Sequence, residues 1–120
     1  MNDTNELKMA LAQYYGTEGY FFNPLYKWMN YTDGVKFFAE NAGNGAYWFL
    51  DIIGTEFKLI AKVEEFINIK LAVTNNSAVL SADDGDGNEL FSKIITYTDC
   101  PEGTWKFYLT NNILMLPSEY

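Results

Sequence analysis

Histidine and arginine are both missing from this chain, and lysine supplies all 8 positive charges against 16 carboxylates. Without histidine there is no side chain that ordinarily titrates near neutrality. There is also no Ser-His-Asp or Cys-His couple and no imidazole metal ligand. Without arginine there is no planar fork for bidentate capture of phosphate or carboxylate. Cysteine is reduced to Cys100, which cannot form an intramolecular disulfide, in keeping with a reducing compartment. No apolar run approaches the roughly 18 residues that span a bilayer. The opening MNDTNELKMALAQ has neither the basic region nor the long apolar stretch of a signal peptide. Cytoplasmic residence and no membrane partner are therefore expected.

Apolar residues are plentiful. They make up 48% of the 120 residues, aromatics alone 18%, which suffices for one core in a chain of ordinary domain length. A single domain over residues 1–120 is expected. The net charge of −8 opposes direct binding to nucleic acid or an anionic membrane and favours a basic partner, although acidity also serves plain solubility.

Hydrophobic spacing divides the chain into a helical first half and a β-rich second half. Asp3 or Thr4 can cap a helix with Leu7, Ala10, Leu11 and Tyr14 on one face, closed by Gly16. The aromatic stretch from Gly19 to Met29 reads as a connection turned at Asn23-Pro24. Thr32 is the expected N-cap of a helix carrying Val35, Phe38, Ala39 and Ala42 inward, stopped by Gly43-Asn44-Gly45. Ala46 to Ile53 reads as a buried helix ended by Gly54, and Thr55 to Glu65 as a further helix capped by Thr55. From Phe66 the period becomes 2, with Ile67, Ile69, Leu71 and Val73 on one face of a strand. Ala78–Ala82, Glu89–Tyr97, Trp105–Leu109 and Ile113–Leu116 continue it, separated by short turn sequences. The expected fold class is α+β, with N-terminal helices packed on one face of a C-terminal antiparallel β-meander of about four or five strands.

Asp83-Asp84-Gly85-Asp86-Gly87-Asn88-Glu89 is the densest acidic cluster. Asp84, Asp86 and Asn88 have the alternation of an EF-hand start, but the sixth and twelfth places hold Glu89 and Ile95 instead of glycine and a bidentate glutamate. A solvated hairpin turn is expected there, and no metal or cofactor. Asp33, Asp51 and Asp99 are the acids in apolar or aromatic settings; a helix start and a turn account for Asp33 and Asp99, and a backbone or lysine partner is expected for Asp51, all without catalysis. Cys100 has no histidine base in the chain, and no glycine-rich phosphate loop follows a strand.

Several segments together carry a family resemblance: Tyr31-Thr32-Asp33-Gly34-Val35, Ala46-Tyr47-Trp48 with Leu50-Asp51, Asp86-Gly87-Asn88, Tyr97-Thr98-Asp99 with Pro101, and the terminal Leu116-Pro117-Ser118-Glu119-Tyr120. Over nearly its whole length the chain resembles a family of small proteins of unknown function found in bacteria, their phages and their plasmids. The resemblance implies a domain ending at Tyr120 and brings no catalytic residues. Small acidic proteins of mobile elements are often inhibitors of host defence, including anti-CRISPR proteins, so it also implies such a role by analogy. The expected function is thus a protein-binding inhibitor, not an enzyme, that engages a basic nucleic-acid-binding partner through Asp83, Asp84, Asp86 and Glu89. The alternative is a structural or adaptor protein that binds, or forms a homodimer, through an aromatic interface.

Overall fold

The computed structural model describes residues 1–120 and confirms the α+β class, with four α-helices and one seven-stranded sheet. Helix α1 covers Thr4–Leu11, capped by Asp3, whose Oδ1 accepts from the Glu6 N–H at 2.9 Å. It stops short of Gly16. Two short strands follow, β1 (Tyr20–Phe22) and β2 (Asn30–Thr32), with a 3₁₀ turn at Pro24–Tyr26 between them. These strands correct the expectation of an aromatic connection, and with it the count of four or five strands. Three residues are too few for a period of 2 to show in a sequence.

Helix α2 (Asp33–Asn41) starts at the expected cap: Thr32 Oγ1 accepts from the Val35 N–H at 3.3 Å. Helix α3 (Tyr47–Glu56) runs through Gly54 instead of ending there, and α4 (Lys58–Val63) begins without a side-chain cap. Thr55 caps nothing; it lies inside α3 and donates to the Asp51 carbonyl at 2.7 Å. Gly54 is present for close approach. A Cβ there would run into the ring carbons of Tyr26, whose hydroxyl donates to Asp51 Oδ1 at 2.9 Å.

Strands β3 (Phe66–Thr74), β4 (Ser77–Asp83), β5 (Glu89–Ile95), β6 (Gly103–Thr110) and β7 (Ile113–Met115) complete the sheet in the order β1-β2-β7-β6-β3-β4-β5. The arrangement is not a meander. After β5 the chain crosses the end of the sheet and returns beside β3, so that β6-β3-β4-β5 has Greek-key order. On that crossing the Thr98 N–H donates to the Asn76 carbonyl at 2.9 Å. The sheet is also mixed, because β2 pairs in parallel with β7.

The core lies between one sheet face and the helices. Phe38 of α2 and Phe49 of α3 meet Phe107 of β6 at ring separations of 5.0 and 4.6 Å, and Phe57 meets Phe91 of β5 at 4.7 Å. Ile67, Ile69, Leu71 and Val73 point the same way and are buried, as their alternation predicts. The other face of β6-β3-β4-β5 is open, presenting Ala72, Val79, Ser92, Ile94, Thr104 and Lys106. Lys70 and Lys106 stand directly opposite one another on it.

Gly54→Ala separates helix propensity from close approach. Alanine ordinarily stabilises a helix interior by about 1 kcal/mol over glycine. Here the Tyr26 ring occupies the methyl's place, so the variant is expected to lower the urea midpoint instead of raising it.

Candidate partner-binding surface

The β4–β5 hairpin presents its acids in two different ways. Asp84 is spent on the turn itself: its Oδ1 accepts from the N–H groups of Asp86 (2.9 Å) and Asn88 (3.2 Å), and its Oδ2 from the Asn88 side chain (2.8 Å). These bonds, the Asn88 side chain foremost, hold its carboxyl below the usual range. Asp83 Oδ1 accepts from the Gly85 N–H at 2.8 Å, and its Oδ2 faces the Asn68 amide at 3.4 Å. Asp86 and Glu89 are exposed and free of side-chain hydrogen bonds. The predicted hairpin turn is therefore found, with two of its four acids shaping it.

Topology adds two acids that sequence reading did not group with these. Asp83 pairs with Asn68 across β3–β4, and Gly85 sits over the Phe66 ring, 3.6 Å from where its Cβ would be. Glu64 and Glu65, which lead into Phe66, thus arrive at the same end of the sheet. They line an open cleft of about 360 Å³ with Ala61, Leu109, Thr110, Asn111 and Asn112. The one salt bridge of the molecule is elsewhere, between Lys93 and Glu56 at 2.9 Å. Six carboxylates therefore gather at one end with no cation paired to them.

Asp33, Asp51 and Asp99 are not brought together. Asp51 accepts from the Tyr26 hydroxyl instead of the backbone or lysine partner expected of it, and Asp99 Oδ2 accepts from the Asn44 N–H at 2.9 Å beyond α2. Cys100 is buried, and burial together with the Asp99 charge pushes its thiol up to about 12, which keeps it protonated. No group of three acidic, cysteine or histidine side chains is placed to hold a metal ion.

Asp33 instead meets an acid that sequence reading left in the tail. Glu119 is 9% exposed, and its carboxylate accepts from Thr32 Oγ1 (2.6 Å), the Leu116 N–H (3.0 Å) and the Gly34 N–H (3.2 Å). Gly34 is required: a Cβ there would lie 2.7 Å from Glu119 Oε1 and Leu116 Cδ1. Two of the sequence motifs, Tyr31-Thr32-Asp33-Gly34 and Leu116-Pro117-Ser118-Glu119-Tyr120, are the halves of this contact. Burial pushes the Glu119 carboxyl up, against the pull of its three donors. Burial opposes ionisation of Asp33 as well, but the 2.7 Å hydrogen bond from Thr17, backbone N–H groups and Glu119 outweigh it and hold its carboxyl low.

The fold defines a small acidic α+β protein that places six of its sixteen carboxylates at one end of its sheet. The chain belongs to DUF6876, a family of unknown function, whose profile matches residues 5–120. No curated protein and no solved structure matches it.

Glu119→Ala leaves three buried donors without an acceptor and is expected to cost about 1–3 kcal/mol in urea denaturation. The pH dependence has a defined direction. The folded chain holds the Glu119 proton more tightly than the unfolded chain, so this residue's contribution to stability declines as pH rises from 4.5 through its raised folded value. Asp33, held low, contributes stability above 3.8 that is lost as pH falls through its folded value. Glu119→Gln is expected to remove the decline above pH 4.5, read as a flatter plot of urea midpoint against pH than that of the wild type.

Proposed function

We propose that this protein is a binding module whose acidic sheet end occupies a basic, nucleic-acid-binding surface of a protein partner, its carboxylates standing where phosphates would bind. The observation that carries this reading is the gathering of Glu64, Glu65, Asp83, Asp84, Asp86 and Glu89 at one end without a paired cation. Asp84 makes the loop rigid, so Asp86 and Glu89 are presented with little ordering left to do on binding. An excess of one charge sign also speeds encounter with a partner of the other. In its finer form the reading is an inhibitor of a defence enzyme, of the anti-CRISPR kind.

A second reading rests on β1, an edge strand that exposes Tyr20 and Phe22 on one side, an aromatic surface suited to an adaptor. The two separate by salt, since charges more than about 10 Å apart are largely screened at 0.1 M ionic strength.

The experiment is affinity capture from a bacterial lysate with wild-type protein and with an Asp86→Lys/Glu89→Lys variant, followed by association rates for the captured protein. Those two acids are chosen because neither holds the turn. The double reversal is expected to slow association by about tenfold or more at low salt. Equal capture by both proteins, undiminished at high salt, would reject the acidic surface in favour of the aromatic one.

A further inference from the structure

The two edges of the sheet differ. β1 offers three residues, whereas β5 runs for seven and pairs on its inner side only. Which of its groups face outward follows from register. Asn75 and Asn76 have φ of 51° and 61°, a type I′ turn, so Thr74 and Ser77 form the hydrogen-bonded closing pair of β3–β4. Bonded and non-bonded pairs alternate along an antiparallel ladder. Ser77, Val79 and Ser81 therefore bond to β3, and Ala78, Leu80 and Ala82 bond to β5. Their partners Ile95, Lys93 and Phe91 turn inward. Ser92 and Ile94 direct their N–H and C=O groups out of the sheet.

Natural edge strands are blunted by proline, lysine, shortness or bulges. β5 contains no proline, and Glu56 draws its one lysine, Lys93, toward the helix-covered face at 2.9 Å. The bulge is confined to the Ala82/Asp83 end. Ile94 is 73% exposed, with Val79 beside it on the open face. β5 also begins at Glu89, so its open edge leads directly into the unpaired hairpin carboxylates.

These features fit a partner segment that is extended and basic. A second copy fits worse: it brings another −8 and its only β5 cation is already engaged by Glu56. We propose that β5 receives a lysine- or arginine-bearing segment of the partner as an added strand, Ser92 and Ile94 supplying the ladder and the hairpin carboxylates selecting for positive charge. This inference rests on the acidic-surface reading above and names its mode of binding.

The test uses the full chain and a seven-residue peptide of alternating lysine and valine, with a glutamate–valine peptide as control. Amide hydrogen exchange followed by NMR is expected to slow by about tenfold at Ser92 and Ile94 with the lysine peptide only. Ser92→Pro deletes an outward donor while sparing the β4 ladder, a place where edge strands accept proline, and is expected to weaken the peptide roughly 3- to 10-fold. Binding with shifts at Asp86 and Glu89 but no protection at Ser92 and Ile94 overturns strand addition and leaves the acidic surface standing. No binding of the lysine peptide overturns both. Protection of both amides without peptide, in a dimer seen by light scattering, overturns the proposal in favour of a second copy.

Discussion

The Glu119 carboxylate accepts from Thr32, Gly34 and Leu116 at the point where β2 runs into α2, and one flank of the sheet depends on it. Thr32 serves both sides of the junction, donating its hydroxyl to Glu119 and accepting from the Val35 N–H as the cap of α2. The tail thus closes over the start of the helix whose Phe38 sits at the centre of the aromatic core. The same segment follows β7, whose parallel pairing with β2 joins the short N-terminal hairpin to the main sheet. A carboxylate at a helix start also meets the favourable end of the helix dipole. Its cost is burial beside Asp33, which the arrangement meets by pushing the two acids' proton affinities in opposite directions.

The acids divide by role according to local backbone need. Asp3, Asp84, Asp99 and Glu119 each satisfy backbone N–H groups, and Asp33 and Asp51 each accept a hydroxyl. Glu64, Glu65, Asp86 and Glu89 have no such duty. The Greek-key return of β6 to the side of β3 keeps the β4–β5 hairpin at the margin of the sheet, where its charge faces solvent on most sides.

Features set by neighbours in sequence were legible in it. Asp3 and Thr32 as caps, the alternation of Phe66 to Val73, and the Asn75-Asn76 and Asn111-Asn112 turns all depend on residues a few positions apart. Features set by distant partners were not. Gly54 reads as a helix stop because nothing near it announces the Tyr26 ring. β1 and β2 are strands because β7 lies beside β2, and three residues carry no period. Glu119 looks like a solvated tail residue until Gly34 is seen to leave room for it, although the pairing of Thr-Asp-Gly with a terminal Ser-Glu-Tyr was a signal of sorts. Of the acidic surface, the hairpin half was visible, and Glu64 and Glu65 joined it only through the register of β3 with β4.

The Thr32–Glu119 contact spans 87 positions of the chain, and the β2–β7 ladder is of the same order. Closing so long a loop carries its entropy cost before any native contact repays it. The β2–β7 ladder and the Glu119 contact with Thr32 therefore cannot form on a growing polypeptide before β7 and the segment after it have been made. β2, and β1 through it, thus depend on a strand made more than eighty residues later for the edge they pair with.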